Sequence, residues 1–241
     1  MKFSVIIPAH NEEEVISSTL IELGLALEGK FDYEIIVVND HCYDDTAKKV
    51  EEIIKDNKRV RLVRNEKRSG FGMAIRCGLE HYKGDAVAIY MADASDFPQD
   101  LVKYFEEIED GAECVFGSRF IKGGKIIDYP KHKLILNRIV NFVMKVVFGH
   151  KYNDTTNAFK CYRKEVIDGC RPFISRHFNL TVELPLKAYL RGYKFKVIPI
   201  SWTNRAAGVS KLKIKEMGSR YFFMILYCLL EKLLTGNDYK R

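Results

Sequence analysis

The sequence predicts an α/β domain: a mostly parallel central sheet with helices on both faces, followed by an amphipathic C-terminal helix. Three observations lead there. Short runs rich in Val, Ile and Tyr alternate with segments of helical periodicity throughout the first half of the chain. Several of those runs stop abruptly in polar residues, as buried parallel strands do at a sheet edge. No repeat and no Pro- or Ser-rich linker divides the 241 residues.

Lys2 to Ile7 is the first strand, ended by Pro8. Asn11 followed by Glu14 has the spacing of a capping box for a helix running to about Leu27. Asp32 to Val38 is the second strand, closing in Asn39 and Asp40, and Asp44 is placed to cap a helix from Thr46 to Lys55. Arg61 to Arg64 gives a third strand. After Arg68-Ser-Gly-Phe-Gly72 a helix runs from Phe71 to Tyr82. Val87 to Met91 is a fourth strand, and Pro98 suits the first turn of an amphipathic helix over Gln99–Ile108. Cys114-Val-Phe opens a fifth.

The remainder is less regular. Leu134–Phe148 reads as a helix with Asn137, Arg138, Asn141 and Lys145 on one side of a wide apolar surface. Asn157–Tyr162 reads as a strand, Leu180–Leu190 as a helix and Tyr193–Trp202 as a strand. Ile214–Leu234 is helical, and its apolar core from Tyr221 to Leu230 covers only about 15 Å, half a bilayer core. An interfacial helix, or one packed on the core or on a second subunit, fits better than a span. The expected division is a catalytic unit over 1–213 and a C-terminal helical appendage over 214–241.

The formal charge of +7 favours an anionic partner, but basic residues are interspersed with acids, which argues against nucleic acid. The six cysteines are scattered without a C-x-x-C pair, as for reduced buried thiols. The chain enters a strand almost at once with no signal-peptide pattern, so a cytoplasmic location is expected. There is no G-x-G-x-x-G after the first strand and no phosphate loop of the G-x-x-x-x-G-K type, which excludes the common dinucleotide and NTPase motifs.

Asp93 and Asp96 end the fourth strand, where open α/β sheets bind ligands, and two such acids suit a hard divalent cation that also takes phosphate oxygens. Pro8-Ala-His-Asn-Glu12 and Asn39-Asp40 fall on the same edge. Asp40 can accept hydrogen bonds from a base or ribose, with His10 beside it. Gly70 opens a turn whose N–H groups could approach a phosphate.

These segments, taken in order, resemble the family 2 glycosyltransferases of GT-A fold, in the branch of dolichol-phosphate mannose synthases and other polyprenyl-phosphate glycosyltransferases. The resemblance is carried by Val5-Ile-Ile-Pro-Ala-His-Asn-Glu12, Ile36-Val-Val-Asn-Asp40, Asp44-Asp-Thr46, Gly70-Phe-Gly-Met-Ala74, Met91-Ala-Asp-Ala-Ser-Asp96, Phe116-Gly-Ser-Arg-Phe120, Asp154-Thr-Thr-Asn-Ala-Phe159 and Arg205-Ala-Ala-Gly-Val-Ser-Lys-Leu212. It implies a nucleotide-sugar site formed by Pro8, Ala9, His10, Asn11, Glu12, Asp40, Gly70, Ala92 and Asp93. Asp93 and Asp96 are the implied ligands of Mg2+ or Mn2+. Arg119, Arg138, Arg205 and Lys211 are the implied hold on diphosphate and acceptor phosphate, with Asp93, Arg119 and Arg138 nearest the chemistry.

The sequence departs from the family where Ala92 replaces the first acid of D-x-D, where Asn39 precedes Asp40, and where Ala158 precedes Phe159. The implied reaction is inverting transfer of mannose or a similar hexose from GDP-mannose or a UDP-sugar to a polyprenyl or dolichyl phosphate at a membrane surface. The protein would associate peripherally with the cytoplasmic face, as a monomer or a homodimer. A hydroxyl acceptor would instead need a base, for which Asp154 and Glu183 are the candidates. A nucleotide-sugar-binding protein without turnover is the alternative of another class.

Overall fold

In the computed structural model, residues 1–204 and 214–234 are described. The elements follow in chain order: β1 Lys2–Ala9, α1 Ile16–Leu27, β2 Asp32–Asn39, α2 Thr46–Asp56, β3 Val60–Arg64, α3 Phe71–His81, β4 Ala86–Ile89 and α4 Pro98–Glu109. Then come β5 Cys114–Ser118, β6 Lys125–Ile127, α5 Lys131–Phe148, β7 Lys160–Arg163, α6 Lys164–Gly169, α7 Leu180–Leu190, β8 Phe195–Pro199, β9 Ser201–Thr203 and α8 Ile214–Leu234. Strands β3-β2-β1-β4-β7-β5-β8 form one seven-stranded sheet, and β6 and β9 pair separately. Within the large sheet only β7 runs against its neighbours.

Side chains alternate across the sheet with period two and divide the core accordingly. Val5 and Ile7 of β1 face the layer of α1, α2 and α4, where they meet Leu20, Val50 and Phe105. Ile6 faces the opposite layer with Ile75 of α3, Ile167 of α6 and Leu184 of α7. A third cluster, Met144 and Phe148 of α5 with Leu186 of α7 and Met224 and Cys228 of α8, joins the last helices to the body.

The expected mostly parallel sheet with helices on both faces is present, and Pro98 occupies the first turn of α4. Three local expectations need correction. The Asn11–Glu14 capping box does not form. Asn11 adopts a left-handed φ of 55°, and α1 begins only at Ile16, where no side chain caps it. The single strand expected over Tyr193–Trp202 is two: β8 leaves the large sheet at Pro199, and after Ile200 the chain pairs with β6. Asp44 is not the cap of α2: the N-cap place belongs to Asp45, which makes no side-chain cap bond. The Asp44 carboxylate, one residue earlier, accepts the N–H groups of Thr46 at 3.0 Å and Glu13 at 3.1 Å and so ties the two loops together.

Strand order reverses between β1 and β4, and β5 and β8 run in the same direction as both, so the loops after β1, β2, β4 and β5 lie along one edge beside that crevice.

Candidate active site

The β1 and β2 ends are tied into one wall. Pro8 and Ala9 are buried, His10 Nδ1 lies 2.5 Å from the Asp40 carbonyl oxygen, and Asn11 Oδ1 accepts the Tyr43 N–H at 3.0 Å. The Glu12 N–H donates to Thr46 Oγ1 at 2.8 Å. The left-handed turn at Asn11 thus serves the β2–α2 loop rather than a helix cap.

Asp40 is 4% exposed, and its carboxylate accepts from Asn65 Nδ2 at 2.7 Å, Ser69 Oγ at 3.0 Å and the Gly70 N–H at 2.8 Å. It holds the β3–α3 loop against the edge. Gly70 therefore gives its N–H to a carboxylate. The first turn of α3 likewise gives the Met73 N–H to the Arg176 carbonyl at 3.2 Å. The glycines are explained by close packing: a Cβ at Gly70 would stand 2.6 Å from Arg176 O, and one at Gly72 2.7 Å from His177 O.

The β4–α4 loop carries the acids. Ala92 is buried and accepts Thr19 Oγ1 on its carbonyl at 3.1 Å, while Ala94 takes a left-handed φ of 56°. Asp93 accepts the Ser95 N–H at 3.2 Å, and Tyr90 donates its hydroxyl to the Asp96 carbonyl. Thr203 of β9 donates its N–H to the Ser95 carbonyl at 3.0 Å and Trp202 bridges to Asp96, so β9 clamps the loop from outside. Among the described residues, Asp96 Oδ2 accepts only a long 3.4 Å bond from the Met91 N–H, and its buried Oδ1 has no hydrogen-bond partner. Burial first, and then the charge of Asp93, push the Asp96 carboxyl up to about 8.

A buried carboxylate oxygen without a donor, next to a second acid, fits a divalent cation. Among the described residues no cluster of three or more His, Cys, Asp or Glu could enclose one, so the remaining ligands would have to be substrate oxygens or water.

β5 delivers the positive side. Arg119, 7% exposed, binds Asp154 through both Nε at 2.8 Å and Nη2 at 2.7 Å, and its own N–H reaches the same carboxylate at 3.0 Å. Burial alone would lower the guanidinium, but the charge and hydrogen bonds of Asp154 outweigh it and keep Arg119 ionised. Its Cζ is 5.3 Å from the Phe120 ring, 5.8 Å from Tyr129 and 5.6 Å from Trp202. Arg138, exposed on α5, lies 4.3 Å over the same Phe120 ring.

Both acids named as bases are committed elsewhere. Asp154 is fully buried against Arg119. Glu183, also fully buried, accepts the N–H groups of Ile174 and Ser175 and pairs with Lys187 at 2.6 Å. Arg205 and Lys211 lie outside the described residues. The ring of Phe120, Tyr129 and Trp202 was not anticipated. Its members come from the β5–β6 loop, the β6–α5 loop and strand β9, and the sole tryptophan was the only signal available.

Residues 4–170 match the Glycosyl transferase family 2 domain. A dolichol-phosphate mannosyltransferase from Pyrococcus furiosus is 31% identical over 219 residues, which is 90% of this chain and 61% of that protein. The polyprenol monophosphomannose synthase of Mycolicibacterium smegmatis is 28% identical over 214 residues, covering 86% of this chain and 80% of its own. Among solved structures, glucosyl-3-phosphoglycerate synthase from Mycobacterium tuberculosis, in complex with Mn2+, UDP and glucosyl-3-phosphoglycerate, superposes with a TM-score of 0.71. That match has 19% identity and covers 96% of this chain and 79% of the other. The chain belongs to the family 2 glycosyltransferases, and its fold is of the GT-A type.

Proposed function

We propose that this family 2 glycosyltransferase moves a hexose, mannose or a close relative, from a nucleoside-diphosphate sugar (GDP-mannose or a UDP-sugar) to a polyprenyl or dolichyl phosphate, with inversion at the anomeric carbon. The observation that carries the reading is the division of one sheet edge. An acidic loop whose Asp96 has a buried oxygen with no partner among the described residues stands after β4, and an arginine cluster, Arg119 and Arg138, stands after β5 and on α5.

Asp93 and Asp96 are the residues that would hold Mg2+ or Mn2+, which when bound neutralises charge on the departing diphosphate. Pro8 to Glu12, Asp40 and the Gly70 loop form the wall for the nucleotide, and Ala92 lets the loop backbone lie close to it. Arg119 and Arg138 supply positive charge for an anionic acceptor, with Arg205 and Lys211 added from the segment after β9. An acceptor phosphate is already ionised at neutral pH and needs no general base. This agrees with the engagement of Asp154 by Arg119 and of Glu183 by Lys187.

Peripheral attachment at the cytoplasmic face of a membrane belongs to the same proposal. α5 exposes Ile135, Ile139, Phe142 and Val146, and α8 exposes Phe222, Phe223, Leu226 and Leu230. α5 contains lysines and an arginine but no acid, which suits an anionic headgroup layer. No helix among the described residues is long and apolar enough to cross a membrane. The same apolar face could join two copies as a homodimer, and size measurement in detergent-free buffer separates the two.

The test is transfer of radiolabelled sugar from GDP-mannose and a panel of UDP-sugars to polyprenyl phosphate in detergent, with Mn2+ or with chelator. Metal-dependent label in the organic phase, lost in Asp96→Asn, is the expected result. Donor binding with label appearing only on a soluble hydroxyl acceptor would overturn the acceptor assignment. Donor binding without any turnover would leave a binding protein.

A further inference from the structure

We infer that Asn141 and Thr156 are positioning residues that fix the rotation of α5 about its own axis and so aim Arg138 at the acceptor phosphate. The inference rests on the reaction proposed above. α5 is held to the body along one stripe, Asn137, Asn141, Met144 and Phe148, spaced so that the residues share a face. The last two are apolar, fully buried and packed on α7 and α8. The first two are amides, although Asn141 is 1% exposed and a leucine would suit such a place better on hydrophobic grounds alone.

The amides are fully used. Asn137 Nδ2 and Asn141 Nδ2 both donate to Thr156 Oγ1, at 2.8 and 3.0 Å. Asn141 Nδ2 also reaches Asn137 Oδ1 at 2.9 Å, and Asn141 Oδ1 accepts the Thr156 N–H at 3.2 Å. Apolar packing tolerates a helix that slides or rolls by a few tenths of an ångström. A reciprocal amide–hydroxyl set does not, because a shift leaves the buried amide of Asn141 short of partners. Arg138 follows Asn137 by one residue, about 100° around the helix. Its direction is therefore set by the clamp.

The same short loop fixes the other cation. Two residues before Thr156, Asp154 holds Arg119, and one residue before that Asn153 Nδ2 donates to the Phe120 carbonyl at 3.2 Å. Phe120 is the ring on which both guanidinium groups rest. One loop thus sets Arg119, Phe120 and Arg138 in a common frame.

The experiment compares Thr156→Val, Thr156→Ser and Asn141→Leu, with Met144→Leu as a control on the same stripe. Steady-state constants are measured for donor and for a short-chain polyprenyl phosphate, together with Tm and hydrogen exchange of residues 131–148. Thr156→Val and Asn141→Leu should raise the acceptor KM about tenfold or more with the donor KM unchanged. Thr156→Ser and Met144→Leu should stay near wild type. An unchanged acceptor KM despite faster exchange in α5, or donor and acceptor constants moving together with Tm, would overturn the assignment.

A separate arm measures geranyl phosphate binding by calorimetry without donor. If the wild type forms no lipid-linked product, the reaction reading fails on its own, and this arm still judges the clamp. Weaker binding in Thr156→Val with wild-type affinity in Thr156→Ser supports it. Equal affinity in all variants, or no binding by the wild type, sinks it.

Discussion

The loop after β4 and the loop before β7 each bring a buried carboxylate to the same edge of the sheet, and the fold treats the two in opposite ways. Asp154, beside the end of β5, is saturated from within by Arg119, with a bidentate pair and a backbone N–H. Asp96, after β4, is also buried, but among the described residues it keeps one oxygen without a partner, and the charge it feels most is that of a second acid, Asp93. The first arrangement is a finished ion pair that stabilises the site's architecture. The second leaves room for a positive group, which is the place that the proposed reaction gives the cation. Burial alone therefore does not separate the two acids; an unmet oxygen does.

The contrast can be broken most sharply at Asp154. Asp154→Asn leaves Arg119 buried without its counter-charge and should cost about 3–5 kcal/mol of stability, read by denaturant or thermal unfolding. Asp96→Asn should do the reverse. Stability is unchanged or higher because a buried like-charge contact is relieved, while kcat falls by about 10²–10³-fold in the transfer assay. If Asp96→Asn unfolds the protein instead, the two acids are alike and the distinction fails.

A smaller effect is expected at Phe120, where Phe120→Leu removes the ring shared by two guanidinium groups. Loss of about 0.5–1 kcal/mol from each contact predicts a several-fold higher acceptor KM with little change for the donor.

The smallest lies away from the site, at Glu34. Burial pushes its carboxyl up, but hydrogen bonds from Ser4, Arg61 and the Lys83 N–H and the charge of Arg61 outweigh that and hold it below the usual carboxylate range. A group with a depressed folded pKa adds stability above its unfolded pKa and loses it as pH falls through the folded value. Glu34→Gln should therefore lower Tm at neutral pH and converge with wild type in acid, as a Tm–pH series would show.

Much of the edge formed by β1, β2 and β4 was legible because its signals are local. Apolar runs ending in Asn39-Asp40 and in Asp93 and Asp96, with Pro98 opening a helix, needed only neighbouring residues, and parallel strands then placed their ends together. What escaped was non-local. Asp154 looked like a base because its partner is 35 residues away in sequence. Glu183 looked likewise, although its pairing with Lys187 at i,i+4 could have been read from helical spacing. β6 and β9 are three residues each, too short to show a period; they pair with each other across 76 residues, and Ser201 donates its N–H to Asp100 Oδ2 at 2.8 Å across 101. The Asn11 cap failed because Tyr43, on another loop, recruits the side chain.

The most direct test of the central claim is a competition between polyprenyl phosphate and the corresponding polyprenol as acceptors, at saturating donor and Mn2+. The account predicts transfer to the phosphate alone, with the alcohol neither glycosylated nor inhibitory at equal concentration. Comparable transfer to the alcohol would show that the arginine side of the edge does not select a phosphate, and the proposed acceptor would be wrong.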